Sequence, residues 1–537
     1  MEFNLADLFE SVVDAVPEQT ALVSGARRLS YAQLDQRASR LAHHLESVGI
    51  GPGDRVGIQL TNGTEYIESM LACFKIRAVP VNVNYRYVAG ELEYLYKDAS
   101  LVGIVFHRQF GPAVSAALGA VHGWRAVLEV ADGWDPSGAA DDYEAALAAQ
   151  PAERGFLPRG ADDRYCVYTG GTTGKPKGVL WRHEDIFFAA MGGGDPLSLG
   201  DHVASPEELA TRVLRPGITA LAIPPFMHAA GHWLAFSTLF GGGKVVTLDR
   251  GAFDAAEVWR LVDVEGVNVL VVVGDAMARP LLDALASDPD HHDLSSLMAV
   301  GSGGAVLSPS TKATLADLLP GRMVADRFGS SETGQVGGEQ APGDPYGPLR
   351  LRVDAQTQVF DGELRPVAPG SGAIGHLGRS GHVPLGYLGD PATSAGTFVE
   401  SGGRRWALPG DLATVEADGV ITVLGRGSLC INTGGEKVFP DEVEAVLKSH
   451  PDVADAVVVG VPDSHFGERV AAVVQPRPQH RIDADLLARH ARDRMSAYKV
   501  PREFIVVDEV RRSPSGKPDY PWARGIAELA SVHEREA

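Results

Sequence analysis

The strongest constraint on the fold is an alternation of two hydrophobic periods along the first hundred residues. In YAQLDQRASRLAHHLESVGI (31–50), Leu34, Ala38, Leu41 and Leu45 recur every three or four positions, as on one helix face, and Gly51 stops the run. DRVGIQL (54–60) then reads as a strand, EYIESMLACFKIRA (65–78) as a second helix and VPVNVN (79–84) as a further strand. Strands separated by helices of this length need crossover connections, which predicts a parallel α/β sheet with helices on its faces.

The chain has 537 residues, too many for one ordinary core. Beyond LGRGS the pattern changes. DEVEAVLKSH reads as a helix, VADAVVVGV and RVAAVVQP as strands, LLARHARDRM as a helix and EFIVVDEV as a strand. This unit is large enough to fold separately. The expectation is therefore α/β overall: a large N-terminal domain of parallel or mixed sheets with helices (1–427), and a small mobile C-terminal α+β domain (428–537). Gly425, Gly427 and Ser428 supply a tolerant backbone for a hinge between them. Residues 131–163, acidic and rich in Ala, Gly and Pro, read as a surface excursion with one short helix. No repeat with a period of 20–50 residues is present, which excludes solenoids and propellers.

Charge and cysteine content narrow the partners. Lys and Arg number 48 against 69 Asp and Glu, a net charge of −21, so nucleic acid and anionic membrane surfaces are not expected partners. Cys73, Cys166 and Cys430 show neither a disulfide framework nor metal-ligand spacing, and the N-terminus lacks the pattern of a secretory signal. VLVVV (269–273) suits a buried strand and is far too short to span a bilayer. A cytoplasmic protein without an integral membrane segment is expected. Oligomeric state is left open, a homo-oligomer included.

YTGGTTGKPKG (168–178) is the densest polar loop in the chain. Glycines let backbone approach a ligand closely, while hydroxyls, amides and lysines suit phosphate oxygens. A P-loop is excluded: Thr169 stands where the first Gly is required, and Pro176 where the Mg-binding hydroxyl belongs. A second segment, RFGSSETG (327–334), carries an aromatic, a glycine and an acid. A third, PGDLATVEADGVITVLGRGS (409–428), carries Asp411 and Arg426. GSGGAV (301–306), NTGGEKVFP (432–440) and PSGKPDY (514–520) complete an ordered series. No G-x-S-x-G elbow occurs, and SAYK (496–499) lacks the KTG that would make it a penicillin-recognising site. The chemistry therefore has no evident protein nucleophile.

In that order, these segments resemble the signatures of the AMP-forming acyl-activating enzymes, among them acyl-CoA synthetases, peptide-synthetase adenylation domains and beetle luciferases. The resemblance implies ATP, Mg²⁺ and coenzyme A as co-substrates and cofactor. It implies that Thr169, Gly170, Gly171, Thr172, Thr173 and Lys177 hold phosphates, with Thr173 and Glu332 at the metal. Gly303, Gly304 and Phe328 would flank the adenine, with Gly329 and Ser331 beside them; Ser331 replaces the usual Thr. Asp411 and Arg426 would hold the ribose, and Lys517 would assist adenylation. His228, Trp233 and Gly303 would border the acid, and Gly435 and Lys437 the pantetheine path. Ser428 stands at the hinge, where the family usually has Asp or Lys.

In PPFMHAAGHWLAF (224–236) no acid stands ready for an amino group, which argues against an amino-acid substrate. His232 reads as a structural or pocket-wall residue. WRHEDI (181–186), GDAMARP (274–280), CINTGGEKVFPDEVE (430–444) and VRRSPSGKPDYPWA (510–523) look like the actinobacterial fatty-acid–CoA ligases, including those acting on steroid side-chain carboxylates. A medium- or long-chain fatty acid and a steroid side-chain acid are both compatible with these strings. Two other readings are an acyl-AMP ligase that loads a carrier protein, and a nucleotide-binding regulator without catalysis.

Overall fold

The computed structural model describes residues 1–536 except 170–174, 197–199, 214–216, 249–252, 289–290, 306, 339–348, 353, 434–435, 464–465 and 514–515, with side chains through 530. The expected first elements form as Tyr31–Ser47, Arg55–Gln59, Thr64–Lys75 and Val79–Asn82. The first of these helices starts at Ser30, whose hydroxyl accepts from the Gln33 amide while the Gln33 side chain accepts from the Ser30 amide. This reciprocal cap satisfies two otherwise orphaned donors.

Among the described residues the strands form four sheets. One eight-stranded sheet has a parallel centre: Lys244–Thr247, Thr219–Ala222, Val269–Val272, Ala299–Gly303 and Met323–Ser330, with Thr20–Ser24 parallel beside Lys244–Thr247. A second eight-stranded sheet centres on Arg164–Thr169, Val79–Asn82, Arg55–Gln59 and Gly103–His107, again parallel. The helices Leu5–Ala15, Tyr31–Ser47, Thr64–Lys75 and Ala229–Phe240 share one buried core with both sheets, placing Phe9, Leu41, Phe74 and Phe236 beside Leu22, Ile58 and Trp181. Outer helices cover the opposite faces, around Leu270 and Val300 on one sheet and Val81 and Phe106 on the other. These layers are why the strands read as nearly continuous apolar runs: both faces are covered.

Residues 350–426 supply all seven strands of an antiparallel sheet that the sequence reading did not divide into strands. Its strands are short, and Asp411–Val415 alternates buried with half-buried positions although its residue types do not alternate apolar with polar. The C-terminal part forms a five-stranded sheet around the hairpin Val453–Asp463 and Gly467–Pro476. Here the period of two is clean. Ala456, Val458, Val470 and Val474 pack under the helices Pro440–Lys448 and Ala484–Arg492, while Val457, Val459, Ala471 and Val473 face the helix beginning at Tyr520. The excursion at 131–163 contains the one short helix expected, Tyr143–Ala148. No helix among the described residues is long and apolar enough to cross a membrane.

Candidate functional site

A cavity of about 1070 Å³ opens at the carboxyl ends of the parallel strands, where Thr169, Asn82, Pro224, Val273 and Gly303 all reach it. This is where doubly covered α/β sheets leave a crevice for ligands. Its floor is the inner face of three adjacent strands. Val269, Ala299 and Met323 are register partners in one row, followed by Val271, Gly301 and Ala325, and Gly303 pairs with Arg327 one row further. Side chains alternate across a strand, so the intervening Leu270, Val272 and Val300 point to the outer core. The opposite wall is the helix Ala229–Phe240, whose Ala230, Trp233, Leu234 and Ser237 recur at helical spacing along the cavity. Small residues on the floor and an apolar helix face above make a broad slot.

At the strand ends the slot becomes polar. Thr169, His228, Gly303, Gly304, Phe328, Gly329, Ser331, Trp233 and Lys517, all singled out in the sequence, line this one cavity. Gly329 has a steric reason to be glycine: a Cβ there would lie 2.1 Å from the Gly334 carbonyl. Glu332 accepts a 3.0 Å hydrogen bond from the Tyr387 hydroxyl. Asp411 and Arg426 are cross-strand partners, with Nε 3.0 Å from Oδ1. Burial raises the Asp411 carboxyl above its usual range; Arg426 opposes this, Glu332 adds to it and Lys517 opposes it.

Lys517 stands in water within the cavity, yet both parts of the chain enclose it on the scale over which charges act. That enclosure, with Arg426, lowers its pKa, while Glu332 and Asp411 pull it back up. Protein atoms around an internal cavity reduce charge stabilisation even when the ammonium tip meets solvent, and this drives the pKa down.

His228 and His232 have different environments. His232 is enclosed, with Nδ1 2.7 Å from the Phe226 carbonyl and Nε2 against the Tyr165 hydroxyl. A carbonyl only accepts, so Nδ1 carries the proton and Nε2 accepts from Tyr165. Tyr165 in turn accepts from the Trp233 indole at 2.9 Å. This network fixes the Trp233 wall from behind, with His232 itself outside the cavity lining. His228 borders the cavity, and its buried Nε2 has no hydrogen-bond partner among the described residues. Burial, then Lys517 and His232, lower its pKa to about 3, so the ring is neutral near pH 7.

Other sequence candidates stand apart from the lining. Lys177 extends to Asp390 at 3.0 Å and Thr393 at 2.8 Å, anchoring the strand Lys177–Arg182. Lys437 is exposed and outside the cavity lining. Ser428 is exposed in the short turn Gly427–Leu429. Gly170, Gly171, Thr172, Thr173 and Gly435 lie outside the described residues. Sequence reasoning missed Tyr387, which orients Glu332, and Asn82, whose amide group ties Tyr168 to Met227. A polar residue closing an otherwise apolar strand was the available signal for Asn82; Tyr387 carried none.

Among the described residues, no group of three or more His, Cys, Asp or Glu is placed to hold a metal ion. A lone carboxylate such as Glu332 fits Mg²⁺, which keeps several waters and takes substrate phosphates as its other ligands. Chemically, the arrangement can seat an apolar acid along the slot and a nucleotide across the polar strand ends, with Lys517 between them.

The chain is similar to known proteins along nearly its whole length. The chain is 47% identical to the 3-oxocholest-4-en-26-oate–CoA ligase of Rhodococcus rhodochrous, covering 99% of this chain and 98% of that protein. It is 46% identical, over 99% and 98% of the two chains, to a medium/long-chain-fatty-acid–CoA/3-oxocholest-4-en-26-oate–CoA ligase of Mycobacterium marinum. The crystal structure of an anthranilate CoA ligase in complex with anthranoyl-AMP has the same fold, with a TM-score of 0.85 over 98% of each chain at 23% identity. Residues 9–388 match the AMP-binding enzyme family and residues 442–517 match the AMP-binding enzyme C-terminal domain, so the chain belongs to the AMP-binding enzyme family.

Proposed function

We propose that this chain is an ATP-dependent, AMP-forming acyl-CoA ligase acting on a medium- or long-chain fatty acid or a steroid side-chain carboxylate. The observation that carries this reading is the union, in one cavity, of a broad apolar slot with a polar end built from Lys517 and adjoined by Glu332, Asp411 and Arg426. The near full-length similarity to CoA ligases supports it.

In the first half-reaction a carboxylate oxygen of the acid attacks the α-phosphorus of ATP. The bond to the β-phosphate oxygen breaks, pyrophosphate leaves, and an acyl-adenylate remains. In the second, the CoA thiol attacks the acyl carbon, loses its proton and expels AMP. Neither step needs a protein nucleophile; positioning and charge stabilisation do the work. Lys517 sets its ammonium beside the carboxylate and the α-phosphate. Asp411 accepts from the ribose hydroxyls, since a carboxylate has two acceptor oxygens for a vicinal diol, and Arg426 steadies it. Phe328, Gly303 and Gly304 flank the adenine, and Gly329 and Ser331 continue that wall. Thr169 opens the phosphate-binding loop of Gly170, Gly171, Thr172 and Thr173, with Lys177 anchoring its far end through Asp390. Glu332 and Thr173 would hold Mg²⁺, which would neutralise phosphate charge. His228 and Trp233 border the acid.

The catalytic cycle is served by a large domain, 1–427, and a small mobile one, 428–537, turning about Ser428. Gly435 and Lys437 then approach the CoA path. The test is mass spectrometry of the protein with ATP, Mg²⁺ and acids ranging from acetate through palmitate to steroid side-chain acids, with and without CoA. Acyl-CoA and AMP together support the ligase. Acyl-AMP that persists in the presence of CoA sinks it in favour of a carrier-loading enzyme, and absence of acid-dependent AMP favours a regulator.

A further inference from the structure

The segment GDAMARP has no part in the roles assigned above, yet its arginine makes an extensive contact with the C-terminal domain. Arg279 lies on the helix Gly274–Ser287 of the large domain, and its side chain is 12% exposed. Nη1 donates to the carbonyls of Val453 at 3.1 Å and Ala454 at 2.5 Å, and Nη2 donates to the carbonyl of Lys448 at 3.0 Å. On its own side, Nη2 lies 3.3 Å from the Asp275 carboxylate and Nε donates to the Thr311 hydroxyl at 3.4 Å. Asp275 is itself held, accepting from the Ser308 amide at 2.8 Å. Lys448 ends the helix Pro440–Lys448, so its carbonyl is among the acceptors a helix leaves unpaired, at the end where the helix dipole favours a cation.

The contact continues to the catalytic loop. Asp455, next to Ala454, takes two hydrogen bonds from Arg512 at 2.6 and 2.7 Å. Arg512 also donates to the Gly516 carbonyl at 2.7 Å, one residue before Lys517. Gly516 lies against Val273, where an added Cβ would be 3.1 Å from both the Val273 carbonyl and a Val273 methyl. Val273 is the N-cap of the helix that carries Arg279. A single rigid helix of the large domain thus meets the C-terminal domain twice, at the loop bearing Lys517 and at the backbone 448–454.

We propose that Arg279 is a positioning residue for adenylation, a guanidinium latch that fixes the C-terminal domain in the orientation placing Lys517 in the cavity. This rests on the ligase reading above. Arg279 touches no reacting atom and acts through the Val453–Ala454–Asp455–Arg512–Gly516 connection. The thiol step, for which Lys517 has no assigned task, does not depend on the latch.

The experiment separates the half-reactions in the full-length protein. Acid-dependent ATP–pyrophosphate exchange reports adenylation, with octanoate, palmitate and 3-oxocholest-4-en-26-oate as probes. Thioester formation from CoA and the chemically prepared adenylate of the fastest-exchanging acid reports the second step. Arg279→Ala lowers the exchange kcat by on the order of 10², the usual loss for a misplaced group, with KM for ATP nearly unchanged. Thioester formation stays within about twofold of wild type, because a positioning loss acts only on the step that uses the positioned group. Arg279→Lys, which keeps the charge without the fork, falls between the two proteins. Exchange by Arg279→Ala equal to wild type overturns the latch, as does an equal loss in both half-reactions, which marks a merely structural residue. If Arg279→Ala is insoluble, Arg279→Gln is judged by the same two ratios. Wild-type protein without any acid-dependent exchange overturns the ligase reading, and the latch with it.

Discussion

Asp411 and Arg426 face each other across two antiparallel strands with 3.0 Å between Nε and Oδ1. The pairing holds a largely buried carboxylate within electrostatic reach of Lys517 and Glu332, with its charge balanced by Arg426 from one side. Asp411→Asn removes a charged acceptor and leaves Arg426 without its counter-ion. Hydrogen bonds to charged groups contribute about 1.5–3 kcal/mol, so ATP affinity should fall roughly ten- to a hundredfold. Isothermal titration with ATP checks this, and an unchanged Kd would remove Asp411 from the nucleotide site.

Lys517→Ala should lower acid-dependent pyrophosphate exchange by about 10²–10³, the loss typical of one preorganised electrostatic contact. ATP binding should persist, because Asp411 and the adenine wall remain. Equilibrium titration alongside exchange kinetics separates the two effects. Near-normal exchange in this variant sinks the assignment.

Gly301 lies at the centre of the slot floor, and a Cβ built there meets nothing closer than a Val271 methyl at 3.7 Å. Gly301→Val therefore adds bulk toward the cavity without displacing backbone. KM for palmitate or a steroid side-chain acid should rise about tenfold or more, while the ATP Kd stays as in wild type. An unaltered KM for every acid tested would place the acyl group elsewhere.

Lys75 is fully buried between Glu10 and Asp35, bonding Asp35 at 2.7 Å, and Arg159 joins Glu10 from the other side at 2.7 Å. Burial alone would raise the Glu10 carboxyl, but the Arg159 hydrogen bond and the Lys75 charge take it down to about 2 from an ordinary 4.5. A depressed carboxylate pKa stabilises the folded state fully above about 4.5, and that contribution is lost as pH falls toward about 2. Denaturant midpoints between pH 6 and 2.5 should fall in this window. Lys75→Met should lower stability at pH 7 by about 3 kcal/mol and flatten the acid dependence, since it leaves two buried acids with fewer counter-charges.

The short elements were legible wherever a local rule decided them. The helix Tyr31–Ser47 follows from its apolar spacing and its Ser30–Gln33 cap, and the first strand of the C-terminal hairpin from the nearly continuous apolar run in VADAVVVGV, which is buried on both faces. The antiparallel sheet over 350–426 was not legible, because its two- to six-residue strands are too short to show a period and the pairings that join its hairpins, such as Gly375 with Ala413 and Arg350 with Thr422, are long-range. In the site, motifs named Lys517, Glu332, Asp411 and Phe328, but they did not show that Lys177 is engaged by Asp390 at 3.0 Å.

The sequence by itself determined the parallel α/β class, the separate C-terminal unit and the ordered segments that mark an acyl-activating enzyme. Each depends on residues close in the chain, where periodicity, caps and glycine-rich backbone act locally. Only the tertiary structure decided that Val271, Gly301 and Ala325 form one floor, that Tyr387 holds Glu332, and that Arg279 reaches Lys448, Val453 and Ala454. These contacts join positions 24 to 175 residues apart. Strand order and domain docking set them, and no local preference encodes either.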